Sequence, residues 1–186
     1  MQTSRHASLL LCGALLLLIG CGRSDVGAAP EPTPAAQPKP GHLDHALPKL
    51  ATVKLWLGSN ELAAEVARTA SEIQTGMMFR TNVAETDSML FVFQQAFRVA
   101  FYMRNTKVPL SCAYIDLDGA ILELHDLKPL DETPVEAGTD KVQFVLETSQ
   151  GWFQRHNVGV GTVVRTEHGA LRDLNWVTLR PARNRQ

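Results

Sequence analysis

The chain has 186 residues, 45% of them hydrophobic, and a formal charge of −1 that becomes −2 once residues 1–20, which hold Arg5 and no acid, are set aside. Basic and acidic side chains are interspersed, so there is no electrostatic footprint for nucleic acid, which is argued against as a partner. The length supports one hydrophobic core and not two.

The chain opens with Arg5 and then an apolar run from Leu9 to Ile19, closed by Leu18-Ile19-Gly20-Cys21. The run is too short for a transmembrane helix, which needs about 20 apolar residues. It reads instead as a secretory signal peptide over residues 1–20. A plain secretory signal would leave the cysteine after Ile-Gly unexplained. The tetrapeptide resembles the bacterial lipobox, in which that cysteine receives lipid and becomes the new N-terminus. Cys21 is therefore the expected lipidation residue, the lipid bilayer the expected partner, and the cell envelope, facing the periplasm or exterior, the expected location. Gly22 follows where an aspartate would mark inner-membrane retention in enteric bacteria, which fits the outer membrane of a Gram-negative cell. Cys12 leaves with the signal and Cys21 is consumed by lipid, so Cys112 is the one remaining thiol and no intramolecular disulfide is expected.

Six of the ten prolines lie between Pro30 and Pro48, among alanines and almost no large apolar residues. Such a composition cannot bury enough surface to offset the entropy of ordering. Residues 21–48 thus read as a lipidated N-terminus and Pro/Ala-rich tether, and residues 49–186 as the globular domain.

Within the domain, short β-type runs alternate with Gly, Pro, Asn and Asp. The expected fold class is α+β, mainly β: a single compact domain of antiparallel hairpins, barrel- or sandwich-like, with two short helices. Val53, Leu55 and Leu57 alternate with Lys54 and Trp56, and a turn at Gly58-Ser59-Asn60 leads into a second strand over Leu62 to Val66. Thr69 and Glu72 form a capping box, predicting a helix from about Ala70 that carries Ile73, Met77 and Met78 inward. Val99, Phe101 and Met103 share one alternating face. Asp118-Gly119 suits a two-residue turn of the primed type. Its register opposes Leu117 to Ala120, Asp116 to Ile121, Tyr114 to Glu123 and Cys112 to His125. One face then holds Ala113, Ile115, Leu117, Ala120, Leu122 and Leu124 as core, and the other gathers Cys112, Tyr114, Asp116, Glu123 and His125. A second helix is expected near Gln150 to His156, stopping at Asn157 and Gly159. Trp176, Thr178 and Arg180 mark a last strand ending at Pro181.

The polar face of the central hairpin is the candidate site that the residues themselves offer. His125 beside Cys112 would activate a thiolate, and Glu123 would orient the imidazole or help hold a metal. Against this, a lone strand cysteine is usually a small buried apolar residue. Met77, Met78, Met89 and Met103 carry the thioethers that a Cu(I) carrier uses. Their positions on inward faces fit packing better, so no cofactor or metal is assigned.

Larger blocks are also present. Gly76-Met77-Met78-Phe79-Arg80 is followed by Met89-Leu90-Phe91-Val92-Phe93. Phe101-Tyr102-Met103-Arg104-Asn105-Thr106-Lys107-Val108-Pro109-Leu110 follows, and then Ala113-Tyr114-Ile115-Asp116-Leu117-Asp118-Gly119. With Val145-Leu146-Glu147, Gly151-Trp152, Gly159 and Gly161, these blocks resemble the bacterial and archaeal family called domain of unknown function 192, over roughly residues 62–164. The resemblance implies a compact, mainly β domain, often exported, and no particular activity. The family usually has an aspartate after Pro-Leu, where this chain has Ser111, and an aliphatic residue where it has Cys112.

Arg80, Asn105, Thr106 and Asp116 are the matched polar positions. Structurally, Asn105 and Thr106 would cap a turn while Arg80 pairs with Asp116. Functionally, the four would clamp a small oxygen-rich ligand such as a sugar or carboxylic acid. The favoured class is a membrane-anchored binding or interaction module for a small ligand or an envelope protein. The alternative is a small hydrolase using Asp116, Glu123 and His125, with or without a metal.

Overall fold

The computed structural model describes residues 41–176. The signal segment, Cys21, most of the tether and the last predicted strand beyond Trp176 lie outside the described residues. The elements run in chain order as β1 (Thr52–Leu57), β2 (Asn60–Ala67), α1 (Ala70–Thr75), β3 (Asp87–Phe97), β4 (Ala100–Phe101), β5 (Leu110–Ile115) and β6 (Ile121–Leu127). They continue with β7 (Val135–Glu136), β8 (Val142–Ser149), α2 (Trp152–Arg155), β9 (Val164–Thr166), β10 (Gly169–Ala170) and a 3-10 turn at Leu171–Asp173.

The expected class holds: a mainly β domain with two short α-helices. Eight strands form one sheet in the order β10-β9-β1-β2-β3-β8-β5-β6, and β4 pairs with β7 separately. The sheet is mixed, because β2 and β3 run parallel. A parallel pair needs a crossover, and the segment containing α1 supplies it. That helix begins as its capping box dictates: Thr69 Oγ1 accepts from the Glu72 N–H and the Glu72 carboxylate accepts from the Thr69 N–H.

Period-two alternation across the paired strands builds two cores, one on each side of the sheet, where the chain length had suggested one: a single sheet buried on both faces divides its apolar residues between them. Val66, Leu90, Leu146, Ala113 and Leu124 form one row across β2, β3, β8, β5 and β6 and face the first core, which Trp152 and Phe153 of α2 also enter. The neighbouring row, Ala67, Phe91, Val145, Tyr114 and Glu123, turns the other way, and its first four members lie in the second core. Leu47 and Leu50, just before β1, pack against that second core. The Leu43 N–H donates to Thr75 Oγ1 at 2.9 Å, so the chain touches the domain before residue 49.

The central hairpin pairs Cys112 with His125 and Tyr114 with Glu123 as the register predicts, but it then shifts so that Ile115 faces Ile121. The reason is the turn. The Gly119 N–H donates to the Asp116 carbonyl, the Ala120 N–H donates to the Asp116 carboxylate, and the Asp116 N–H donates back to the Ala120 carbonyl, closing a three-residue loop with left-handed Gly119. The extra residue moves Leu122 to the second core and leaves Leu117 half exposed, correcting the two-residue turn and its apolar face. The face expected to be polar is core as well, since Cys112 and Tyr114 are fully buried.

The same loop draws the sheet's ends together without closing a barrel. Ala120 bridges to Val163, Ile121 N–H donates to Thr162 O and Val164 N–H donates to Gly119 O. At Gly119 φ is +87°, and a Cβ would sit 2.6 Å from the Val164 carbonyl oxygen. Gly58 also has positive φ, +66°, but opens onto free space. Gly58→Ala should therefore cost about 1 kcal/mol from backbone strain alone, and Gly119→Ala at least twice that, as read by urea denaturation.

Candidate functional site

A third row crosses the sheet on the second-core side: Glu65, Met89, Glu147, Cys112 and His125. It places two carboxyl groups, a thiol and an imidazole on a buried surface. Glu65 is held by Arg80, whose guanidinium forks onto it with Nη1–Oε1 2.9 Å and Nη2–Oε2 3.0 Å. The Leu50 N–H adds a third bond to Glu65 Oε2 at 2.9 Å. Arg80 therefore pairs with Glu65 and not with Asp116.

Glu147 has no such partner. It is 4% exposed, and its Oε2 is buried without a hydrogen bond, unlike every other enclosed side-chain oxygen or nitrogen among the described residues. Burial penalises the charged form and pushes its carboxyl up to about 8, although the nearby Arg80 charge pulls the other way. The same burial raises the Cys112 thiol well above its usual value, with Glu147 adding to the effect. Cys112 is thus an inert core thiol and not a nucleophile.

Glu147 opens onto a cavity of about 230 Å³. Aromatic and thioether side chains form much of its wall, Phe91, Phe93, Phe97, Phe101 and Tyr102 with Met77 and Met78, beside Gly76 and Val99 and the polar Gln74, Thr75 and Thr106. Phe91 meets Phe101 edge to face with ring centroids 5.0 Å apart, and Phe97 and Tyr102 stand partly exposed at 42% and 38%.

Of the four expected ligand residues Thr106 lines this cavity, while Arg80 and Asn105 stand behind it, bonded to Glu65 and set beside Met78. The turn that follows α1 brings Arg80 to Glu65, and it docks through Phe79, whose N–H donates to the Asn105 carbonyl at 2.9 Å. Both Phe79 and Asn105 have positive φ, 63° and 56°, and asparagine tolerates that region better than most residues. Asn105 Nδ2 lies 3.9 Å from Met78 Sδ. Thr106, buried on the cavity wall, donates its hydroxyl to the Arg104 carbonyl at 3.2 Å. Asp116 is apart from them: it lies just past the end of β5, four residues on from Cys112 and about 13 Å away at strand rise, and its carboxylate caps its own turn.

The hydrolase grouping does not assemble either. His125 Nε2 contacts Glu123 Oε2 at 2.9 Å, but the other Glu123 oxygen accepts from Gly138 N–H and the imidazole packs 5.0 Å from the Tyr114 ring. Among the described residues no three His, Cys, Asp or Glu side chains come together as a metal site. Ser111, which departs from the family's aspartate, donates to the Asp126 carboxylate across the hairpin and accepts from Gly151 N–H at 2.8 Å. Its hydroxyl thus fixes the approach to α2.

Glu147 is the residue that reading the strands alone missed. A lone carboxylate at an inward position of an apolar strand, Val-Gln-Phe-Val-Leu-Glu, was the available signal. Recognising it required the pairing register, because only that shows Glu147 beside Met89 and Cys112 and away from solvent.

The family model of domain of unknown function 192, described as "Uncharacterized ACR", matches residues 53–166. The chain belongs to that family. A solved structure from Sinorhizobium meliloti 1021, described as a "putative transcription regulator", is similar at 30% identity and TM-score 0.58, covering 62% of this chain and 92% of that one. A protein of unknown function from Novosphingobium aromaticivorans DSM 12444 is similar at 31% identity and TM-score 0.56, covering 61% and 83% respectively. Comparison with curated proteins finds no significant match.

The native state holds a proton on Glu147 that the unfolded chain releases. Between the ordinary carboxyl value of 4.5 and about 8, this residue's contribution to stability therefore falls as pH rises, and it levels off above that. Glu147→Gln should remove this slope: the mutant's stability relative to the natural protein should improve from pH 5 to pH 8 in urea titrations.

Proposed function

We propose that this domain is a small-ligand binding module, displayed at the cell envelope by lipid on Cys21 and spaced from the bilayer by the proline-rich tether. The observation that carries the reading is Glu147, a buried residue with an unpartnered Oε2, in the lining of a cavity rich in aromatic side chains. A cavity that pairs apolar walls with one placed polar group is the usual form of a small-molecule site. An orphaned buried oxygen costs about 1–3 kcal/mol, a cost that a ligand's hydrogen bond would recover.

The lining favours a largely apolar ligand over the oxygen-rich one expected from the polar matched residues. Arg80 and Thr106 already spend their donors on Glu65 and Arg104, while five aromatic rings face the space. The test is to block the cavity from its rim. Ala100 lines it yet is exposed, so Ala100→Trp should leave the fold intact and weaken binding of a small arene by at least tenfold, as measured by calorimetry. An unchanged affinity would place binding elsewhere.

The anchoring is tested separately. Metabolic labelling with a fatty acid should mark the natural chain, and Cys21→Ser should abolish the label and move the protein from the membrane to the soluble fraction.

A further inference from the structure

We propose that the cavity selects small arylalkyl ammonium ions, with the Glu147 carboxylate receiving the cationic nitrogen and the ring lodging between Phe91, Phe93 and Phe101. This rests on the binding reading above and assigns its ligand class.

Charge is the first reason. With Glu147 ionised, the buried group carries two carboxylates, Glu65 and Glu147, against the single guanidinium of Arg80, which forks onto Glu65. The assembly is then one cation short, and Glu147, which lines the cavity, is the carboxyl group left without one. The walls give the second reason. Aromatic faces carry a negative quadrupole and attract ammonium groups, most strongly where water is excluded. An anionic ligand would meet neither a free buried donor nor a favourable ring face. Size gives the third reason. A cavity of about 150 Å³ holds benzene, and the roughly 230 Å³ here leaves room for a ring with a short aminoalkyl arm.

The proton balance follows. The free protein keeps Glu147 protonated below about 8, so ammonium binding expels that proton to solvent and leaves a carboxylate–ammonium pair. The other titratable groups facing Glu147 are Arg80, fixed by Glu65, and the Cys112 thiol, which burial keeps neutral. Apparent affinity should therefore rise roughly tenfold per pH unit below pH 8 and fall again where the amine itself loses its proton.

Calorimetry with phenethylammonium, 2-phenylethanol and phenylacetate, on the natural chain and Glu147→Gln, tests this. The amine should bind at least tenfold more tightly than the alcohol at pH 8, phenylacetate should bind weakest, and the preference should vanish in Glu147→Gln. Should that variant fail to fold, titrations of the natural protein at pH 7 in buffers of different ionisation enthalpy read the proton directly, and close to one should be released per amine bound. Equal affinity for alcohol and amine, or amine binding without proton release, would overturn the amine assignment and leave the cavity as a binding site. No binding of any of the three would overturn the binding reading itself.

Discussion

Glu147 sits in a strand buried on both faces, and much of the site follows from that placement. A charged carboxylate there would be prohibitively costly without a partner. The one guanidinium within reach is committed, because Arg80 grips Glu65 through both terminal nitrogens. Glu147 therefore adopts its neutral form, lining the cavity with its Oε2 buried and unbonded. An aliphatic side chain at that position would satisfy the second core at lower cost. Glu147 is thus poorly explained as a device for stability, and the binding role proposed above would account for it.

The local structure was largely legible in the sequence because local rules governed it. The capping box fixed the start of α1, the alternation around Gly58 fixed the first hairpin, and Asn157 takes the left-handed conformation expected at the stop of α2. The parallel pairing of β2 with β3 was not legible, since a crossover leaves no turn signature between the strands that it joins. At the central hairpin a single residue of slippage decided the outcome. Asp116 caps the turn with its carboxylate, the loop lengthens, and Leu117 and Leu122 change surroundings while Cys112 and Tyr114 keep their partners.

Site residues were less legible than strands for a related reason. Polarity in a loop attracts notice, so Arg80, Asn105 and Thr106 stood out, yet the backbone itself uses them: two of them shape the turn from Met103 to Thr106 and one neutralises Glu65. The residue with spare hydrogen-bonding capacity lies in a strand, where its neighbours in sequence are apolar. Whether a polar group is free or spent depends on partners far away in the chain, and only the folded geometry shows them.

The entry of the chain into the domain bears on the same cavity. Leu43 N–H donates to Thr75 Oγ1, and Thr75 lines the cavity; Leu50 N–H donates to Glu65 Oε2, and Glu65 fixes Arg80. Residue 43 thus bonds to the cavity wall, and residue 50 to the Glu65–Arg80 pair whose charge reaches Glu147. A ligand that displaced Thr75 or loosened the Arg80–Glu65 fork would disturb two of the bonds that seat this segment, and tighter seating would stiffen the wall in return. Such reciprocity is what thermodynamic linkage requires of two events that share partners. It makes the segment joining the domain to its tether part of the site's physical surroundings and not a passive leash.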